Sequence, residues 1–314
     1  MYDFMRRISL LASSCVLVLG ACTAAAAFPE KPVRIYVGVA PGGVTDVVAR
    51  LVGQRLGEMW PQPVVIENRT GAEGTIAADT VARAAPDGYS LVVVTSAHTM
   101  VKADFKPSYD PLKSFAPLTF IGQQPQILVV NRNVPVNTVG ELIKLAKSSP
   151  GELNFGSGGE GTITFQVMAL FMKQTGTQMQ NVNYRGGAPT LTALLGGEIQ
   201  LMFGSITVLL EQVRAGKVKT LGVSSSARFA GLPEVPTVAE AGLPGFESVN
   251  WFGSLAPAGT PRDVVNKLHA DFVTAVNSAP VQKSFVTQGI VTVNAGPDAF
   301  LKMMTDETNK WKNF

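Results

Sequence analysis

The segment Val33–Arg50 has the sequence VRIYVGVAPGGVTDVVAR, in which a β-branched run stops at Pro-Gly-Gly and an apolar helical pattern begins at once. This pattern predicts a strand, a tight turn and a helix. Gly42 and Gly43 permit a positive φ and a close backbone approach. Thr45 and Asp46 are residue types that cap a helix start. The turn is therefore expected to present backbone N–H groups at the positive end of a helix dipole.

Two interpretations of this turn stay open on the segment alone. Backbone N–H groups at the carboxyl end of a strand suit a bound carboxylate or phosphate. The same pattern is also the ordinary connection of an α/β protein, in which Asp46 is only an acid in the first helical turn. The segment is not a P-loop, because no Gly-Lys-Ser/Thr follows it.

Composition narrows the class of protein. The 314 residues, 46% hydrophobic and 16% charged, are those of a globular chain long enough for two domains. A formal net charge of +3 gives no basic footprint for nucleic acid. Cys15 and Cys22 both lie in the leader, so the remaining chain has no disulfide and no thiol nucleophile. The two histidines, His98 and His269, lack metal-ligand spacing, and we predict no metal site.

The first 27 residues have the pattern of an export signal. Two arginines at positions 6 and 7 precede an apolar run over residues 8–20 and a run of alanines at 24–27. Cleavage after Ala27 would release the protein, whereas lipidation at Cys22 would anchor it, because residues 19–22 are similar to a lipobox. The alanine run favours release. We therefore assign residues 1–27 to a signal peptide.

The rest of the chain repeats the order strand, loop, helix. This order predicts an α/β protein with mainly parallel sheets flanked by helices. Two apolar runs around residues 123–126 are expected to cross from one sheet to another. Polar residues follow several predicted strands, and ligands bind beyond the carboxyl ends of strands in such sheets.

Three residues of this kind have two interpretations each. His98 follows Ser96 at a strand end and is either a general base or a hydrogen-bonding loop residue. Arg185 precedes a Gly-Gly turn, where it either binds a carboxylate with two hydrogen bonds or is solvated. Ser205 is either a ligand donor or a helix N-cap.

Residues 156–161, with the sequence GSGGEG, match the dinucleotide-binding pattern. That pattern needs an acidic residue about 20 positions further on. No Asp or Glu occurs from Thr162 to Gly197, so no nucleotide cofactor is predicted. We interpret this loop as a second cradle for an anion or hydroxyl, with Ser157 and Thr162 as side-chain donors.

These motifs in combination resemble the Bug family of periplasmic solute-binding proteins, which are attached to tripartite tricarboxylate transporters. The similar stretches are Pro29–Val33, Pro41–Asp46, Glu67–Ile76, Ala84–Tyr89, Asn154–Thr162, Tyr184–Pro189, Leu194–Phe203, Leu232–Gly245 and Trp251–Pro261. The resemblance implies a two-domain periplasmic-binding-protein fold of the type II kind, with a mainly parallel, helix-flanked sheet in each domain and a ligand cleft between them. The implied boundaries are residues 28–124 and 250–314 for domain I and 125–249 for domain II.

The resemblance also implies a function without catalysis or cofactor. It predicts a monomer in the periplasm that binds a small carboxylate and delivers it to integral membrane transporter subunits. The candidate ligand contacts are Gly42, Gly43, Thr45, Asp46, Ser96, His98, Ser157, Gly158, Thr162, Arg185 and Ser205.

One departure from the family bears on the ligand. Gly204 and Ser205 stand where the family often has an acidic or amide pair, which disfavours an ammonium group. A plain di- or tricarboxylate or an aromatic acid is favoured. Two other functions stay open: a receptor that signals to a membrane kinase, and an exported hydrolase that uses Ser96 and His98.

Overall fold

The structure is a computed structural model that describes residues 28–100 and 107–312. The predicted signal peptide and both cysteines lie outside these residues. Within them, no helix has the length and apolar character needed to cross a membrane.

Strands and helices alternate along most of the described chain. The strands are β1 Val33–Val37, β2 Val64–Asn68, β3 Ser90–Thr95, β4 Phe115–Val130, β5 Asn154–Ser157, β6 Gln180–Asn183, β7 Leu201–Ser205, β8 Lys219–Val223, β9 Val249–Pro257 and β10 Val291–Ala295. The α-helices are α1 Val44–Met59, α2 Thr75–Ala82, α3 Val139–Ser148, α4 Ile163–Thr175, α5 Gly187–Gly196, α6 Ile206–Arg214, α7 Arg262–Val276, α8 Ala279–Gln288 and α9 Pro297–Lys312. Short 3₁₀ turns span Ala72–Gly74 and Ser96–His98.

The strands form two sheets that share β4. In the first sheet, β2, β1 and β3 are parallel, and β9 and β4 extend it with antiparallel pairs. In the second sheet, β6, β5 and β7 are parallel, and β7 and β8 pair antiparallel with β4. The parallel strands predicted from the alternating pattern are present, and the crossing strands add antiparallel pairs to both sheets.

Each sheet is packed on both faces. In the first sheet, Ile35 contacts the cluster of α1 and α7, which includes Leu56 and Phe272. On its other face, Trp251 packs against Phe300 of α9 in a cluster that also includes side chains of α2. The second sheet buries one cluster against α3 and α4 and another against α5 and α6. Full burial of an aliphatic or aromatic side chain stabilises the fold by about 1.5–3 kcal/mol. Each sheet is therefore held by a hydrophobic cluster on each of its faces.

The predicted crossing at residues 123–126 is confirmed by the pairing of β4. Pro125 pairs with Val249 of β9, whereas Gln126, the next residue, pairs with Ser205 of β7. Ser224, which is fully buried, ties the two crossing segments together. Its hydroxyl accepts from the Gln126 N–H at 2.9 Å and donates to the Ser248 carbonyl, and its own carbonyl accepts from the Ser248 N–H at 2.9 Å.

Candidate functional site

The turn between β1 and α1 uses both of its glycine N–H groups internally. Gly42 has φ 86° and donates its N–H to Asp46 Oδ2 at 2.9 Å, while the Gly43 N–H donates to the Ala40 carbonyl at 3.2 Å. Helix α1 begins at Val44 with Gly43 as its N-cap, two residues before Thr45, the first of the predicted caps, and no side chain caps it. The amides available to an anion are therefore those of the first helical turn, which have no partner inside the helix.

Asp46 lies beneath this turn and is 1% exposed. Its Oδ2 accepts from the Gly42 N–H and from Arg50 Nε, each at 2.9 Å, and its Oδ1 accepts from Asn68 Nδ2 at 2.7 Å. Burial by itself would raise the pKa of this carboxyl, but the hydrogen bonds from Arg50, Gly42 and Asn68 together lower it. Asp46 is therefore a carboxylate that holds the loop in shape.

A small cavity lies between this turn and the end of β3. It measures about 30 Å³ and is lined in part by Val39, Thr45, Gly74, Thr95 and His98. A water molecule needs roughly 10–15 Å³ of such volume, so this cavity has the size of one or two waters. The cavity is therefore too small for an organic ligand of several heavy atoms.

The Ser96–His98 turn follows β3, but its two polar side chains bond to different partners. Ser96 Oγ donates to Asn250 Oδ1 of β9 at 3.1 Å. His98 Nε2 lies 2.9 Å from the carbonyl oxygen of Pro111, and since a carbonyl only accepts, Nε2 carries the proton. The ring stacks on Tyr109 and meets Phe115 edge-on.

Burial lowers the pKa of His98 to about 4, so the imidazole is neutral at physiological pH. A hydrolase would need a hydrogen bond between the serine and the histidine. Ser96 and His98 instead bond to Asn250 and Pro111, so the arrangement that the hydrolase alternative requires is not formed in the described chain.

The loop between β5 and α4 has the same organisation as the first turn. Ser157 is 1% exposed, and its hydroxyl donates to Asn181 Oδ1 at 2.8 Å and accepts from the Gly159 N–H at 3.1 Å. The Gly158 N–H donates to Thr164 Oγ1 at 3.2 Å. Thr162 is the N-cap of α4, but its hydroxyl donates to the Gly159 carbonyl at 2.7 Å and does not cap the helix. The backbone N–H groups of Ile163 and Thr164 at the start of α4 thus have no hydrogen-bond partner inside the helix.

Arg185 and Ser205 follow two neighbouring strands of the second sheet. Arg185 is exposed at the end of β6 and forms no ion pair with the residues that the structure describes. Ser205 is the N-cap of α6, but its hydroxyl lies 3.0 Å from Thr207 Oγ1 and makes no capping bond. Both side chains therefore lie at the carboxyl edge of the second sheet and are accessible there to a ligand.

Sequence reasoning missed four polar residues that this region uses. Asn68 and Asn181 hold the two loops, and Asn250 binds Ser96. Gln126 is 1% exposed, and neither polar atom of its side chain has a hydrogen-bond partner in the described chain. An isolated asparagine carries no sequence signal, whereas the run of three glutamines at positions 123, 124 and 126 inside an apolar strand was a signal for Gln126.

The described residues contain no group of three or more His, Cys, Asp or Glu side chains that could hold a metal ion.

Comparison with known proteins identifies a consistent set of relatives. Residues 48–314 match the family described as tripartite tricarboxylate transporter family receptor, TctC. Protein BugT of Bordetella pertussis is 33% identical over 296 residues, which cover 93% of this chain and 91% of that protein. The structure of Rpa4515 of R. palustris with adipate has a TM-score of 0.76 at 32% identity and covers 91% of this chain and 96% of its own. MatC of Rhodopseudomonas palustris with bound malate has a TM-score of 0.74 at 32% identity, over 91% of this chain and 99% of its own.

Proposed function

Because the chain belongs to the tripartite tricarboxylate transporter receptor family, we propose that it captures a small organic carboxylate in the cleft between its two sheets. Members of this family are periplasmic solute-binding proteins and not enzymes, so the ligand is released unchanged. Rpa4515 and MatC carry adipate and malate, which are both dicarboxylates. A dicarboxylate is accordingly the first ligand class to test for this protein.

One observation carries the proposal: two helices begin without a side-chain cap at the carboxyl ends of strands in different sheets. These are α1 after β1 and α4 after β5. Each start carries roughly half a positive charge and amides with no partner inside the helix. The amides of Val44 and Thr45 on one side, and of Ile163 and Thr164 on the other, are the donors that we assign to the ligand.

Five other candidate residues take two kinds of role in this proposal. Gly42, Asp46, Ser157 and Thr162 shape the two loops, because their polar groups bond within those loops or to the segments that support them. The exposed guanidinium of Arg185 supplies a cation at the rim, where it can pair with a second carboxylate.

We assign residues 28–124 and 250–314 to domain I and residues 125–249 to domain II, because β4 changes partner between Pro125 and Gln126. A ligand held by both helix starts binds the closed arrangement more tightly than an open one, and this differential affinity closes the cleft. The crossing segments at 123–126 and 248–251 are the proposed hinges. Ser224, which bonds to both segments, keeps them in register during the motion.

The proposed partners are the integral membrane subunits of a tripartite tricarboxylate transporter, to which the closed protein delivers its ligand. The leader supports export, and cleavage after Ala27 or lipidation at Cys22 would each leave the two-sheet body outside the cytoplasmic membrane.

Proline substitution at the first helical position tests this assignment of donors. Proline is tolerated there and removes a single N–H. The preceding residues Gly43 and Thr162 have ψ 156° and 151°, which is the extended conformation that a residue before proline adopts. Val44→Pro and Ile163→Pro should each weaken carboxylate binding by about 10- to 100-fold, the value of one hydrogen bond to a charged group. Isothermal titration of the purified protein with di- and tricarboxylates and aromatic acids gives the affinities.

Arg262→Pro is the matched control. Arg262 is the exposed first residue of α7, which begins after the carboxyl end of β9, at the edge of the first sheet opposite the cleft. This variant should bind as the parent does. Absence of binding to any carboxylate would refute the proposed function, and equal affinities for the parent, Val44→Pro and Ile163→Pro would refute the donor assignment.

A further inference from the structure

Gln126 is a buried side chain whose hydrogen-bonding capacity is unused. It is 1% exposed, and both Nε2 and Oε1 have no partner in the described part of the chain. An amide that is buried without partners destabilises a fold by about 1–3 kcal/mol. Its backbone is firmly placed, because the Gln126 N–H donates to Ser224 Oγ at 2.9 Å and its carbonyl accepts from the Ser224 N–H at 2.9 Å.

Strand register places this amide on the face of the second sheet that α4 covers, beside the proposed cleft. Gln126 lies opposite Ser205, and two residues on, Leu128 lies opposite Phe203. Directly paired residues of antiparallel strands share a face, and Leu128 and Phe203 belong to the core that α4 covers. Gln126 therefore faces the α4 side of the sheet, at the edge where α4 begins and approaches β9.

The surrounding polar groups come from both sheets. Asn250, which binds Ser96, is one residue beyond the Pro125–Val249 pair on the side of the first sheet. Ser205 lies beside Gln126 on the side of the second sheet. A ligand between the α1 and α4 starts would thus have the Gln126 amide behind it.

An amide offers two hydrogens on Nε2 and an acceptor at Oε1. An ionised carboxylate only accepts, so it can pair with Nε2 but leaves Oε1 unpaired beside a negative charge. A hydroxyl on the adjacent carbon can donate to Oε1 while the carboxylate accepts from Nε2. We propose that Gln126 is a specificity-determining residue that selects a 2-hydroxycarboxylate over the same acid without the hydroxyl. This inference rests on the proposed function.

Three matched pairs of ligands test it on the purified full chain by isothermal titration: malate with succinate, citrate with tricarballylate, and mandelate with phenylacetate. Each pair differs by one hydroxyl, so the carbon skeleton that the cleft accepts need not be known in advance. The hydroxy acid of the pair that binds should bind at least about tenfold more tightly, because a polar group left unpaired in a dry site costs that much.

Gln126→Leu separates recognition from structure. This variant should lose the preference for the hydroxyl, so that it binds the two acids of a pair with affinities within about threefold of each other. Its thermal unfolding midpoint without ligand should equal or exceed that of the parent, because an apolar group replaces an unpaired amide. Gln178→Leu, at an exposed position before β6 and at the opposite edge of the same sheet, should leave both affinities unchanged.

The outcomes discriminate between the two proposals. If no carboxylate binds, the proposed function itself fails. Equal binding of both members of a pair by the parent protein would overturn the role of Gln126 while leaving carboxylate capture intact, and this result needs no variant to fold. Tighter binding of aspartate than of malate would overturn the hydroxyl as the selected group. A lower unfolding midpoint of Gln126→Leu would show that the amide is structural, and would also overturn the proposal.

Discussion

Asp46→Asn is the substitution that most directly tests how the first loop is held. The carboxylate has two oxygens and receives three donors: the Gly42 N–H and Arg50 Nε at Oδ2, and Asn68 Nδ2 at Oδ1. Asparagine keeps one oxygen, so one side of the group becomes an NH₂ that faces a donor. The favourable orientation keeps the oxygen where two donors meet and turns the NH₂ toward Asn68.

Asn68 cannot relieve this clash by rotating its own amide. Its Nδ2 also donates to the Val39 carbonyl at 3.0 Å, and its Oδ1 accepts from Arg50 Nη2 at 2.8 Å. One hydrogen bond to a charged group is lost, at about 1.5–3 kcal/mol, and the bond from Gly42 falls to neutral strength. The contribution of Arg50 is discounted because its side chain is 49% exposed. The total cost is about 2–4 kcal/mol.

Urea unfolding at pH 7 measures this cost. If the unfolding free energy falls by about 3 kcal/mol per molar urea, the midpoint of the variant should be lower by roughly 1 M urea. Asp79→Asn is the control, because Asp79 and Arg83 form an i, i+4 pair with the same 2.9 Å separation at the surface. That variant should lose less than about 1 kcal/mol. Carboxylate binding should weaken in Asp46→Asn only, since only that variant releases the loop before α1.

The same pair of proteins makes a pH prediction. The folded pKa of Asp46 lies below that of the unfolded chain, so its stabilisation is present above about pH 4 and is lost as the pH falls through the folded pKa. The stability difference between the parent and Asp46→Asn should therefore shrink below pH 4. A parent and variant of equal stability at pH 7, or a difference that is unchanged at pH 3, would refute this account of the loop.

Three further predictions concern the hinge, the buried histidine and the first turn. Ser224→Ala leaves the Gln126 N–H without its acceptor and should cost about 1–3 kcal/mol in urea unfolding, whereas Ala at the exposed position 226 should cost less than about 0.5 kcal/mol. His98 takes up a proton near pH 6.5 in the unfolded chain but only near pH 4 in the folded protein, so the free energy of unfolding should fall as the pH drops from 6.5 to 4. His98→Gln should flatten this part of the dependence of stability on pH. Gly43 has φ −67°, and a Cβ at this position would lie 3.3 Å from Val39 Cγ2, so Gly43→Val should change the unfolding midpoint little. The same variant should weaken carboxylate affinity by about 1–3 kcal/mol in titration. Normal binding would mean that the turn is only a connection.

The elements of the fold could be predicted because they depend on local pattern. A β-branched run followed by Pro-Gly-Gly and apolar helical spacing leads to β1 and α1, with the helix starting at Val44 where the glycines end. The same logic predicted α4 after residues 156–161. Strand ends and helix starts follow from the chemistry of a few neighbouring residues, which is why the two helix starts that we assign to the ligand could be predicted from the sequence.

The roles of individual side chains could not be predicted in this way. Ser157 and Thr162 were expected to donate to the ligand, and their hydroxyls instead donate to Asn181 and to the Gly159 carbonyl. Ser96 and His98 are only two positions apart in sequence, yet they bond to Asn250 and Pro111. Each outcome depends on which residue of a distant segment lies within 3 Å, and hydrophobic pattern carries no such information.

The sequence by itself determined where strands end in glycine turns and helix starts, the family resemblance, and the absence of thiol or histidine clusters from the residues after the leader. Only the tertiary structure decided that Asp46 supports its loop through Asn68, a residue 22 positions away, and that Gln126 is buried without a partner. The physical reason is that backbone geometry responds to nearest neighbours, whereas the partner of a buried polar group is set by packing between segments that meet only in the folded chain. A buried polar group without a hydrogen bond destabilises the fold, so most buried groups are paired within the protein. The contacts between distant segments therefore determine which polar groups are still available to bind a ligand.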